Sequence, residues 1–147
     1  MKNDGTWLYI LERVKWSGER NPLCGGNIAY FWEWDQSNEK WLYSDFGSVS
    51  DDGTPYDFYG FDGNRWYYDT DAGGHNNVKG AASYDGAYYW FEFRKQLNSG
   101  DGYDWAFAPG GTYGYPRPPD LTQVGFWDQI ETTFYGKVVA LHLSAPD

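Results

Sequence analysis

The chain is poor in the residues that most often build a core or a reactive centre. One Cys, one Met and two His are spread over 147 residues. The single Cys24 excludes an internal disulfide and any multi-cysteine zinc site, and one thiol fits either redox compartment. Aliphatic residues are scarce too: three Ile, eight Leu and six Val. No run approaches the ~18 consecutive apolar residues of a membrane span. Met1-Lys2-Asn3-Asp4-Gly5 leads straight into a strand-like segment, which is not the pattern of a signal peptide. Only 11 bases face 21 acids, for a net charge of −10, and no Lys/Arg cluster relieves it. Such a surface repels phosphate, so nucleic acid is a poor partner.

Few aliphatics and high charge together ordinarily mark disorder. Here nine Trp, 14 Tyr and nine Phe supply 22 % of the chain. Each ring system buries roughly 150–250 Å², enough to build a core without aliphatics. The length suits a single domain, residues 1–147, either whole or as part of a longer chain. Rings beyond the needs of a core call for a partner, since a flat ring on a surface usually contacts a flat ligand.

Strand signals dominate. Thr6 to Trp16 alternates, with Leu8, Ile10, Val14 and Trp16 on one side and Trp7, Tyr9 and Leu11 on the other. Asn27–Trp34 places Ile28, Tyr30, Trp32 and Trp34 on one face. Shorter strands are predicted at Lys40–Tyr43, Tyr56–Phe61, Arg65–Tyr68, Ala87–Phe93, Tyr103–Phe107, Gln123–Trp127 and Lys137–Leu143. Asp52-Gly53, Asp62-Gly63, Asp85-Gly86, Ser99-Gly100 and Pro109-Gly110 read as turns. No stretch of ten or more residues has helical periodicity, and 15 Asp against six Glu favour turns over helices. The expectation is an all-β fold, an antiparallel β-sandwich. Tyr115-Pro116-Arg117-Pro118-Pro119 reads as a stiff loop. The first strand signal starts almost at Met1, which leaves room for a strand or leader outside these residues.

The second half carries a distinctive ordered series. Tyr89-Trp90-Phe91-Glu92-Phe93-Arg94-Lys95-Gln96-Leu97-Asn98-Ser99-Gly100-Asp101-Gly102-Tyr103-Asp104 is followed by Pro109-Gly110-Gly111-Thr112-Tyr113 and Val124-Gly125-Phe126-Trp127-Asp128. The series resembles the haem-binding domain of ethylbenzene dehydrogenase and dimethylsulfide dehydrogenase gamma subunits. Asn3-Asp4-Gly5-Thr6-Trp7-Leu8-Tyr9-Ile10-Leu11 is similar to the early strand of that family, of DOMON domains and of family 9 carbohydrate-binding modules. About Trp41 to Asn77 is unmatched. The resemblance implies a β-sandwich with a ligand pocket, an extracytoplasmic location, and no chemistry beyond carrying an electron.

Haem-binding members hold iron with a Met and a Lys, and the Lys carries over to Lys137 in Gly136-Lys137-Val138. The Met has no counterpart, Met1 being the sole one. Substitute ligands are His75, His142 and Cys24. Each has a simpler reading: His75 as a polar loop residue, His142 as a satisfied strand residue, Cys24 as a small packed hydrophobe and Lys137 as a solvated lysine.

Asp69-Thr70-Asp71-Ala72-Gly73 begins like a calcium loop, but an EF-hand needs a Glu at its twelfth position, where Gly80 stands, and flanking helices. A looser calcium site using Asp69, Asp71 and main-chain carbonyls remains, against the simpler reading of solvated turn aspartates. Asp51, Asp52 and Asp57 form a second acidic loop. For catalysis, Glu12, Glu33 and Glu92 fall among aromatics, yet Glu12 and Glu92 read more simply as outward strand residues. No hydrolase, metalloprotease or phosphate-loop motif is present. The chain is therefore expected to bind and not to catalyse.

Carbohydrate is the rival to haem. Sugar C–H faces stack on Trp and Tyr while polar side chains bond the hydroxyls. Trp32, Trp34, Trp41, Trp66 and Tyr68 are the stacking candidates, with Tyr67 pointing away from Tyr68, and the Trp41–Asn77 segment is the richest place for such a site. The leading expectation is haem b and electron transfer with a redox partner. A carbohydrate-binding or cell-surface adhesion module comes second. A structural domain beside neighbours in a longer surface or secreted protein comes third.

Overall fold

A computed structural model describes residues 1–16, 24–61, 65–114, 120–128 and 133–145. The strands are β1 (Lys2–Asn3), β2 (Trp7–Lys15), β3 (Cys24–Asp35), β4 (Lys40–Ser50), β5 (Pro55–Phe61), β6 (Arg65–Tyr68), β7 (Val78–Tyr84), β8 (Tyr88–Gln96), β9 (Thr112–Tyr113), β10 (Asp120–Asp128), β11 (Thr133–Val139) and β12 (Leu141–His142). A 3-10 turn, Asp69–Ala72, follows β6. Two main sheets form, in the orders β1-β2-β8-β7 and β11-β10-β3-β4-β5-β6, with a small β12-β9 ribbon. Every pairing is antiparallel. The fold is all-β and sandwich-like. Among the described residues, no helix is long and apolar enough to cross a membrane.

The core follows from alternation. Leu8 and Ile10 of β2 with Tyr89, Phe91 and Phe93 of β8 face Cys24 and Ile28 of β3, Val49 of β4 and Phe126 of β10. Leu97, Trp105, Phe107, Leu141 and Leu143 close one end. Tyr89 and Phe91 stack with centroids 5.6 Å apart, and both reach Phe126. Such ring pairs contribute about 0.5–1.5 kcal/mol each beyond the area they bury, so aromatics do replace the missing aliphatics. The sheets approach closely at Gly26: a Cβ there would lie 2.8 Å from the Cβ of Phe91.

Most strand expectations hold, and the departures have physical causes. Segment 103–107 is not a strand. Its alternate burial of Trp105 and Phe107 imitates one, but it carries only a bridge from Ala106 to Asn98. β7 escapes a propensity reading because Lys79-Gly80-Ala81-Ala82-Ser83 lacks aromatic and β-branched residues. Its glycine is required, since a Cβ on Gly80 would meet Phe93 at 2.7 Å. β4 runs on to Ser50, past the point where inward Asp45 and Gly47 break the apolar alternation. The expected Lys137–Leu143 strand is divided at Ala140 between β11 and β12. The Asp52-Gly53 and Asp85-Gly86 turns are present, with positive φ at both glycines. The Asp62-Gly63 turn and the Tyr115–Pro119 loop lie outside the described residues.

Candidate functional site

The inward face of β8 carries Tyr89, Phe91 and Phe93, and the next inward position is Lys95. Its side chain is fully buried between the sheets. The ammonium lies 3.2 Å from Asp45 of β4, 2.5 Å from Asp57 of β5 and 2.6 Å from Asp104. It also donates to Asn77 Oδ1 at 3.2 Å and stands 5.3 Å from the centre of the Trp105 ring. The carboxylates are bound on their far sides too. Asp45 accepts the Trp105 amide at 2.8 Å, Asp57 the Asn77 amide at 2.9 Å, and Asp104 the Ser99 hydroxyl at 2.5 Å and the Asn77 side-chain amide. The lysine stem fits because β4 has Gly47 beneath it, where a Cβ would sit 3.1 Å from Cδ.

This is a cross-link between sheets with an excess of negative charge. Burial alone would pull the Lys95 ammonium down, but Asp45, Asp57 and Asp104 outweigh it and hold the proton more firmly than in water. Burial pushes Asp45 and Asp57 up, and Lys95 opposes that. A fourth acid, Asp69 of the 3-10 turn, has no exposed surface, and neither carboxylate oxygen has a hydrogen-bond partner. Burial, and then the charges of Asp57, Asp45 and Asp104, push it up to about 9.

A different surface occupies the other side of the same strands. Register puts Phe31, Phe46, Phe58, Tyr68 and Trp66 on the outer face of the larger sheet. Their rings run in contact: Trp34–Trp41 at 5.0 Å, Trp41–Phe31 at 6.0 Å, Phe31–Trp66 at 6.1 Å and Trp66–Phe46 at 5.2 Å. The path continues through Phe46–Phe58 at 5.7 Å, Phe58–Tyr68 at 4.7 Å and Tyr56–Phe58 at 5.8 Å. Eight rings thus form one connected surface, with Trp66 45 % and Tyr68 44 % exposed. Glu33, with φ of 60°, interrupts the regular twist just before Trp34. The smaller sheet's outer rings are arranged otherwise: Arg13 lies over Tyr88 and Trp90, and Arg94 over Trp7.

The structure sorts the residues expected from sequence. Trp34, Trp41, Trp66 and Tyr68 share the outer surface, whereas Trp32 points inward and stacks between Tyr30 and Tyr43. Tyr67 does oppose Tyr68, its ring lying on Tyr59. Asp69 and Asp71 part company: Asp71 is exposed, and Asp69 turns inward toward Asp101 and Asp104. Asp57 is not a solvated turn residue but part of the buried cluster. Glu12 faces the core, unlike its expected outward direction, because it follows Leu8 and Ile10 on the same side of β2. Glu92 faces outward from the same sheet, so those two carboxylates cannot flank one bond.

The residues expected as iron ligands occupy different elements. Exposed Lys137 stands on β11, at one edge of the six-stranded sheet, and His75 follows the turn leaving β6, at the other edge. Five strand spacings lie between those edges along the sheet. His142 Nδ1 lies 3.0 Å from Thr112 Oγ1, and Cys24 is fully buried in the core. Sequence reading missed Lys95, Asp45, Asp101 and Asp104. The one available signal was that Tyr89, Phe91 and Phe93 alternate inward and the next position in step is a lysine. Comparison with family models, with curated proteins and with solved structures finds no match to this chain.

Proposed function

We propose that the chain is a non-enzymatic carbohydrate-binding module whose recognition surface is the outer aromatic face of the larger sheet. The observation that carries this reading is the connected path of eight rings that includes exposed Trp66 and Tyr68 on edge strand β6. Exposed rings held by neighbouring rings offer rigid flat platforms for sugar C–H faces. Hydroxyl partners stand at the rim: Asp35, Gln36 and Asn38 in the β3–β4 turn, beside Trp34, whose indole N–H donates to Gln36 at 3.2 Å. Planar amides and carboxylates of this kind bond sugar hydroxyls in both directions. The acidic surface directs the preference to neutral glycans over sulfated or uronic ones.

Affinity-gel electrophoresis against neutral polysaccharides tests the reading. Retardation is expected for the wild type, with a loss of at least tenfold in affinity for Trp66→Ala and none for Trp90→Ala on the smaller sheet. Tenfold corresponds to about 1.4 kcal/mol, the scale of one ring contact. Absence of retardation by every neutral glycan, or equal retardation of Trp66→Ala, overturns it. The visible spectrum of the purified protein addresses haem independently, and a Soret band would displace the carbohydrate reading.

A further inference from the structure

The buried acids are not balanced by Lys95. Asp45, Asp57 and Asp104 already surround that one ammonium, and Asp69 lies close enough to them to feel their charge. An ionised carboxylate taken out of water without a partner costs several kcal/mol. Asp69 is completely buried and both its oxygens are unbonded, so it ionises only with a cation beside it. One oxygen from each of Asp69, Asp101 and Asp104 lies within 4.8 Å of the others. Asp101 is held in place from two sides, its Oδ2 accepting the His75 amide at 2.8 Å and its Oδ1 the Tyr103 amide at 2.9 Å. Gly74 lets that carboxylate approach the turn, since a Cβ there would stand 2.6 Å from Asp101 Oδ2. Tyr103 Oη donates to the Ala72 carbonyl at 2.9 Å, tying the 3-10 turn to the 99–104 loop.

We infer that Asp69, Asp101 and Asp104 form a calcium site joining the turn after β6 to the loop after β8. The donor set is hard oxygen throughout, with no thiolate or imidazole within it, which suits a hard cation such as Ca²⁺ over Zn²⁺ or copper. Asp69 has two free oxygens and can bind side-on. Asp101 and Asp104 each keep lone pairs beyond their existing bonds, and water completes the six to eight positions that calcium takes. The ion supplies the positive charge that Lys95 alone does not. Because Tyr68 directly precedes Asp69, the ion also anchors the end of the strand that carries Trp66. Asp71, which the sequence pairs with Asp69, stays outside the site.

The test uses the whole chain after EDTA treatment and desalting. Tb³⁺ is added with excitation of the protein's aromatics, followed by Ca²⁺ as competitor, and thermal unfolding is recorded with and without Ca²⁺. Sensitised Tb³⁺ emission displaced by Ca²⁺ is expected, together with a rise in Tm of about 5–10 °C at a hundredfold excess over Kd. Asp69→Asn and, separately, Asp101→Asn should lose both responses while keeping the wild-type far-ultraviolet circular dichroism. Asp71→Asn should keep both. No Ca²⁺-dependent change in Tm at 10 mM, or unchanged responses in Asp69→Asn and Asp101→Asn, overturns the site. The readouts involve no glycan, so failure here leaves the ring-face reading standing, and failure there leaves this one.

Discussion

Glu12 gives the sharpest test of how burial and charge interact in this fold. It sits on the inward face of β2 in step with Leu8 and Ile10, and Oε1 is buried without a hydrogen-bond partner. Burial pushes its carboxyl from 4.5 up to about 8, opposed only in part by the Asn27 backbone amide. A folded pKa above the unfolded one means that the native state prefers the protonated acid. The associated stability is fully present below about pH 4.5 and is lost as pH rises through about 8. At pH 7 the loss covers about 2.5 pH units at 1.36 kcal/mol each, and partial hydration reduces it to about 2–3 kcal/mol.

Glu12→Gln keeps the shape and removes the titration. The variant should match the wild type within about 1 kcal/mol near pH 4.5 and exceed it by about 2–3 kcal/mol at pH 7. Urea unfolding monitored by tryptophan fluorescence between pH 4.5 and 8.5 measures the difference. A rise in Tm of roughly 4–12 °C at pH 7 should accompany it. Other buried acids titrate in the same range, but the variant-minus-wild-type difference isolates Glu12 so long as distant sites add. A difference that stays flat with pH, or a variant that is less stable at pH 8, would refute the reasoning.

Lys95→Met should destabilise by about 3–5 kcal/mol at neutral pH, since it leaves Asp45, Asp57 and Asp104 buried without their cation; equilibrium urea unfolding reads the loss, and an unchanged midpoint contradicts it. Gly26→Ala should cost about 1–3 kcal/mol, because the new methyl meets the facing sheet at Phe91 and not a flexible side-chain end. A Tm within 1 °C of the wild type for Gly26→Ala would show that the sheets can part there without penalty.

The fold was largely legible because alternation of rings with polar residues survives in β2, β3 and β8 without help from distant contacts. Legibility failed where burial and polarity part company. Inward Asp45, Gly47 and Asp57 look like a break in a strand or a turn, since a carboxylate at an inward position makes sense only once Lys95 arrives from the other sheet. β7 failed for the opposite reason: Gly80 is required there by the closeness of Phe93, which no local pattern records. The site was half legible. Residue types for ring stacking were evident, and so was the 41–77 segment, but not that Trp32 turns inward while Trp34, beyond the positive φ at Glu33, joins Trp41. Asp69 stood out in sequence as a calcium-loop aspartate, whereas Asp101 and Asp104 lie some thirty residues away in a turn that reads as ordinary.

Those separate features meet on the same pair of strands. β5 points Asp57 and Tyr59 inward and Tyr56 and Phe58 outward, and β6 sets Tyr67 against Tyr59 and Tyr68 against Phe58. A register slip of one residue would drive rings into the charged interior and bring Asp57 to the surface. An edge strand of only four residues has few backbone bonds to prevent this. The constraint must come from side chains: the Lys95–Asp57 pair fixes β5 from within, and the ring path fixes β6 from without. The buried charges therefore contribute to the ring surface without touching it. Weakening the cluster should loosen Trp66 and Tyr68 before it unfolds the core, because the edge has the fewest other contacts to lose.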